Sequence, residues 1–221
     1  MAKETEEAVR SRIIEVVMST LDSEGYDAIQ LREIARRAKV SLATIYKHFP
    51  TRDLLVVAAI EVWMAANTYA ELEPPDPREP LCDGLIRLMR HVFRPWEQHP
   101  AMLTAYHRAR SGPGGQRLDN QGLDAVVPVA AQVVAGADPA YVEDIASVLS
   151  NMAYSLLGQC ADGTRTVADI LPILERAAVR LTSNNAADAA AVLAHRQPRN
   201  GRGVPAISPD IAAPYYRRPA D

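Results

Sequence analysis

The sequence predicts an all-α fold, with a three-helix helix-turn-helix domain at the N-terminus and a larger helical domain behind it. Apolar residues recur at intervals of three and four along most of the 221 residues, which is the period of a helix with one buried face. No stretch alternates apolar and polar residues over the length of a strand. Most prolines and glycines fall between the periodic runs, where they punctuate helices. A hydrophobic content of 48% is enough to fill a core in a chain of this length.

The first helix is expected over residues 4–24, with Ile13, Ile14, Val17 and Leu21 on one stripe and Gly25 as its stop. Gly25-Tyr26-Asp27 is a turn. Gln30 then precedes a two-turn helix whose apolar face is Leu31, Ile34, Ala35 and Ala38. After Lys39-Val40, Ser41 is placed to cap a third short helix by accepting a backbone N–H, and Ile45 and Phe49 point inward from it. Two short helices joined so tightly cannot lie antiparallel, so they cross steeply as a helix-turn-helix. Pro50 ends the third helix, and Thr51 caps a fourth that runs from Arg52 to about Leu72.

Glu73-Pro74-Pro75-Asp76-Pro77 through Pro80 reads as a stiff linker. Beyond it Leu81, Leu85, Leu88, Met89, Val92 and Trp96 keep helical spacing, with an interruption expected at Pro95. Met102, Leu103 and Tyr106 belong to a helix that fades at Ser111-Gly112-Pro113-Gly114-Gly115. That stretch lacks the lysine and the preceding strand of a phosphate loop. A helix kinked at Pro128 is expected from Leu118 to about Ala135. Another opens at Asp138-Pro139 and runs to Cys160, and the last opens at Thr166 or Asp169 and carries Ile170, Leu171, Leu174, Ala178 and Leu181. From Gln197 the proline and glycine content opposes dense packing. The expected divisions are therefore 1–56, 57–184 and a partly disordered tail at 185–221.

The formal charge of −3 is segregated: residues 1–52 carry +1, 53–194 carry −7, and 195–221 carry +3, while 32–52 hold six bases and one acid. A basic stripe on an acidic body is the footprint of a discrete nucleic-acid-binding face. No apolar run approaches the roughly 20 residues of a membrane span, and no signal-peptide core follows the charged opening, so a cytoplasmic protein with no membrane partner is expected. Cys82 and Cys160 form neither a disulfide framework nor a zinc spacing. The histidines at 48, 91, 99, 107 and 195 show no HExxH spacing, and no serine sits in a G-x-S-x-G turn, so neither enzyme nor cofactor is expected. The competing readings are metal ligation by His91 and His99 across Pro95 and redox sensing at Cys160.

The ordered run Leu31-Arg32-Glu33-Ile34-Ala35, Val40-Ser41 and Thr44-Ile45-Tyr46-Lys47-His48-Phe49-Pro50-Thr51-Arg52 resembles the N-terminal signature of the TetR family of bacterial repressors. It departs from the common pattern at Gln30, where a capping Thr is usual, at Ala43, often Gly, and at Arg52, often Lys. The resemblance implies a transcriptional repressor on double-stranded operator DNA, with an activator on the same fold as the alternative. Arg32 is the expected base reader, since its fork matches guanine O6 and N7. Leu42, Ala43 and Thr44 offer close approach, with Ser41 at the helix start. Tyr46, His48 and Arg52 match positions that usually hold phosphates, with Lys47 alongside.

One such unit is too small for tight binding alone, so a homodimer on a palindrome is expected, its reading helices roughly 34 Å apart. The resemblance also places the dimer contact on the last two long helices, and a small hydrophobic ligand in the helical domain. The candidate lining is Trp63, Met89, Phe93, Trp96, Met102, Tyr106, Met152 and Leu156. The stretches His99-Pro100-Ala101-Met102-Leu103-Thr104 and Val148-Leu149-Ser150-Asn151-Met152 are also similar to the KstR-type regulators of sterol catabolism, which implies a steroid or acyl-CoA effector.

Overall fold

The computed structural model describes residues 5–187, and among them the chain forms nine α-helices, two short 3-10 turns and no strand. The helices are α1 (Glu6–Glu24), α2 (Leu31–Arg37), α3 (Leu42–His48), α4 (Arg52–Asn67), α5 (Leu81–Gln98), α6 (Pro100–Arg110), α7 (Gln116–Val133), α8 (Pro139–Ala161) and α9 (Ile170–Thr182). The described residues up to Ser183 pack as one compact unit. The tail expected from 185 onward lies, past Ala187, outside the described residues.

Four helix starts are written in a side chain. Thr5, Ser41 and Thr51 accept N–H groups of the first turns of α1, α3 and α4, and Asp138 accepts from Ala140 and Tyr141 at the start of α8. Each such bond removes one of the four orphan donors at a helix N-terminus. Thr166 and Asp169 form a capping box on the 3-10 turn Val167–Asp169 that leads into α9, so both expected openings of that helix are used. Gln30 provides no side-chain cap to α2.

One apolar cluster runs through the unit. Ile13, Val17 and Leu21 of α1, Ile34 of α2, Ile45 of α3 and Leu55 of α4 close the N-terminal part, and Met64, Trp96, Leu103, Leu156 and Leu174 continue the same cluster into the remaining helices. The boundary expected at 56 and 57 falls inside α4, which touches α1, α6 and α7. α1 and α4 are thus the shared elements, and α6 packs on both.

Two expected boundaries differ. α4 stops at Asn67 rather than near Leu72: the Asn67 side chain donates to the Trp63 carbonyl, and Thr68 and Tyr69 both turn their N–H groups to Met64. α5 runs unbroken through Pro95 to Gln98. The proline removes only the bond to the His91 carbonyl one turn from the helix end, and buried Trp96 holds the last turn in place.

Candidate nucleic-acid interface

The crossing of α2 and α3 is set by a short turn. Lys39 takes a left-handed conformation, with φ 53°, and Val40 N–H donates back to the Ala35 carbonyl at 3.0 Å. That conformation is unfavourable for a residue with a Cβ, so the packing on either side imposes it. Arg12 of α1 donates through Nε to the Ala38 carbonyl at 2.8 Å and pins the same corner.

α3 presents its polar residues outward. Ser41 Oγ accepts from Thr44 N–H at 3.0 Å and shares a hydrogen bond of 2.8 Å with Thr44 Oγ1. Ala43 and Tyr46 are exposed, Tyr46 at 50%, whereas Leu42, Thr44 and His48 are half-buried. His48 tilts against the buried ring of Phe49, over which the Arg10 guanidinium lies at 5.4 Å. Lys47 pairs with Glu6 at 3.1 Å across an exposed surface, which draws the Glu6 carboxyl below its ordinary range. Such a pair is weak and readily exchanged for a phosphate. On α2, Arg32 is exposed and has no partner among the described residues.

Its neighbours are committed. Arg37 binds Glu33 through Nε at 2.7 Å and reaches Glu24 and Thr20 of α1, while Arg36 grips Glu33 with two bonds. These bonds, Arg36 first and then Arg37, hold the Glu33 carboxyl down at about 2.

Arg52 departs from its expected place. Its Nε donates to the Ile29 carbonyl at 2.8 Å, its second amino group to the Tyr26 carbonyl at 2.7 Å, and its Cζ lies 4.5 Å from the centre of the Tyr26 ring. Two nitrogens of its fork are thus committed to the turn between α1 and α2, and its other amino group lies 3.8 Å from Asp53. Arg108 of α6 covers Tyr26 at the same 4.5 Å and donates to Asp27 at 2.8 Å. The sequence gives no sign of this stack, because its members lie far apart and obey no helical period.

The residues of the expected ligand lining lie in or against the core. Trp63, Met89, Trp96, Met102, Tyr106 and Leu156 are buried, and Phe93 and Met152 pack half-buried against them. Trp63 and Trp96 lie 4.6 Å apart, and Trp96 and Tyr106 5.4 Å, both tilted as in an aromatic core. Neither of two open grooves, of about 660 and 760 Å³, is lined by any of the eight. Large apolar side chains at helical spacing line a cavity or fill one with the same sequence pattern.

A capped α3 crossing α2 over a cationic, exposed surface, carried on a helical body, defines a helix-turn-helix regulator. The chain belongs to the TetR family. Residues 13–59 match the model of bacterial regulatory proteins of the tetR family, and residues 79–181 match that of the tetracyclin repressor-like C-terminal domain. The HTH-type transcriptional repressor KstR of Mycolicibacterium smegmatis is 33% identical over 114 residues, 49% of this chain and 53% of that protein. The repressor of the same name from Rhodococcus jostii is 29% identical over 100 residues, 45% of this chain and 46% of its own. The chain thus spans about half the length of the curated relatives it matches. Among solved structures, a TetR transcriptional regulator from Rhodococcus sp. RHA1 superposes with a TM-score of 0.61 at 21% identity, covering 82% of this chain and 98% of the other. A tetR-family regulator from Streptomyces coelicolor gives 0.64 at 21%, covering 90% and 93%. These share the fold.

Proposed function

We propose that the chain is a ligand-responsive transcriptional repressor that binds a palindromic operator as a homodimer. The observation that carries the reading is the free outer surface of the helix-turn-helix, where Arg32, Ala43 and Tyr46 stand exposed while the neighbouring arginines 36, 37 and 52 are bonded within the domain. Arginines bonded into the domain build the reading surface, while Arg32, and Lys47 once its exposed pair with Glu6 is exchanged, are left for DNA. Arg32 reads a base edge, Tyr46, Lys47 and His48 meet phosphates, and Ser41 sets the start of α3 against the groove. The two relatives named as repressors favour repression over activation.

The test is selection of duplexes from genomic and random DNA by the full chain, followed by expression of the genes beside the selected sites in a deletion strain. Arg32→Ala removes a bidentate contact and is expected to weaken operator binding by about 1–3 kcal/mol, roughly tenfold to a hundredfold, with the unfolding midpoint unchanged. Tyr46→Phe acts in the same direction. Wild-type binding by both variants rules this surface out, and loss of neighbouring expression on deletion makes the protein an activator. A steroid or acyl-CoA effector, as the KstR likeness suggests, has to part the Trp63, Trp96 and Tyr106 rings, so it is expected to quench tryptophan fluorescence on binding.

A further inference from the structure

The groove between α4 and α7 differs in chemistry from the aromatic core beside it. It measures about 660 Å³ and is walled by Glu61, Ala65 and Tyr69 on one side and by Arg117, Asn120, Gln121, Asp124 and Ala125 on the other. Glu61 and Ala65 lie one turn apart on α4 with Tyr69 just past its end, and the spacings of three and four put the second set on one face of α7.

Oxygen acceptors dominate it. Asp124 has no partner among the described residues, and the Gln121 side-chain carbonyl oxygen is buried with none. The Gln121 amide donates to the Glu61 carbonyl at 2.9 Å, and turning it over would set two oxygens against each other, so its orientation is fixed. A buried acceptor without a donor is destabilising, which favours a donor supplied from outside the chain. The groove already accepts one cation, since the Arg117 guanidinium lies on the Glu61 carboxylate at 2.5 Å. That arginine is half-exposed, so a competing cation can displace it. With Glu61 and Asp124 against Arg117 alone, the charged side chains of the groove sum to one negative charge.

The rest of the wall suits a small body. Ala65 and Ala125 leave the middle open. At the end next to Tyr69, a Cβ on Gly122 would come within 2.9 Å of the tyrosine hydroxyl, so only glycine allows the ring to lie this close to α7. Burial pushes the Tyr69 phenol well above its ordinary value, and it stays a neutral donor.

We infer that this groove binds a small organic cation, a protonated amine or amidine on a short apolar body, with its N–H groups on Asp124 and Gln121 and its body between Ala65, Ala125 and Tyr69. Charge-assisted bonds of this kind are the strong ones in a partly desolvated groove. The regulatory consequence rests on the repressor reading: the ligand would grip α4, whose first residue, Arg52, holds the turn that precedes α2.

Thermal unfolding of the full chain with benzamidine, phenethylamine or agmatine, each at several times its Kd, is expected to raise Tm by about 2–4 °C for at least one of them. Benzamide and phenethyl alcohol, the neutral counterparts, are expected to do less at equal concentration. The gain should vanish in Asp124→Asn and in Gln121→Leu, each checked for an unchanged Tm without ligand, and persist in Arg94→Gln, which lines the second groove with Arg87, Arg90 and His91 of α5. Amines that act no better than the neutral compounds, or a gain that survives Asp124→Asn combined with Glu61→Gln, overturn the inference. The DNA selection is run separately without amine. A chain that selects no DNA yet loses its amine response with Asp124 keeps this site and loses the repressor reading.

Discussion

Arg52 shows how a residue that matches a family's DNA-contact position can also serve the fold. Its guanidinium bonds the Ile29 and Tyr26 carbonyls and stacks on the Tyr26 ring, so the start of α4, the turn after α1 and the approach to α2 are one assembly. Hydrogen bonds from a charged group to a partly exposed site of this kind contribute together about 1–2 kcal/mol after allowance for solvent. Arg52→Gln is therefore expected to lower stability by about that amount in the absence of DNA, read as a shift of the urea midpoint at constant slope. A pure phosphate contact would leave the midpoint where it is. Arg108→Gln, which takes away the second cation on Tyr26 and the bond to Asp27, should shift it less, since its partner Asp27 stands largely exposed.

At the scale of elements, α2 is a two-turn helix without a side-chain cap, and beside its buried Ile34 it is anchored by charge. Glu33 receives Arg36 and Arg37, and Arg37 ties on to Glu24 of α1. Because the folded Glu33 pKa is lowered from 4.5 to about 2, its stabilising contribution is complete above pH 4.5 and is lost as the pH falls toward 2. Amide exchange of α2 is expected to quicken over that window in the wild type. Glu33→Gln, with no carboxylate to titrate, should exchange faster throughout and show no such step from this site; identical profiles would remove Glu33 as the anchor. The helix starts were legible in the sequence because Ser41, Thr51, Asp138 and Thr166 are capping residues that act on N–H groups two or three positions away. The continuity of α5 was not, because Trp96 in the core is a tertiary contact that overrides the local signal, nor was the end of α4, where Asn67 turns its side chain back to the Trp63 carbonyl. The same distinction divides the candidate site: the α3 surface follows from local order, while the role of Arg52 and the groove at Gln121 depend on partners 23 and 60 residues away.

For the whole molecule, the proposed binding of a two-fold operator would require a partner surface, and two helical faces compete for that role. Val148 and Tyr154 of α8 and Val179 of α9 are exposed at 40%, 37% and 43%, while Leu123 and Val127 of α7 are each exposed at 53%. Exposure alone would favour α7, but two residues on one helix make a narrow ridge. α8 and α9 pack on each other and offer two adjacent helices to a second copy, which can complete a four-helix contact. A face of that width fixes the angle between two reading helices, whereas a ridge allows rotation. Val148→Glu with Val179→Glu is therefore expected to yield monomers in sedimentation velocity and to weaken operator binding by about 10²–10⁴-fold, the gain that linking two half-site contacts supplies. Leu123→Glu with Val127→Glu should leave the dimer and its operator binding intact. Dissociation by the α7 pair, with the α8 and α9 pair still dimeric, would transfer the interface to α7 and place the α4 and α7 groove beside the dimer contact.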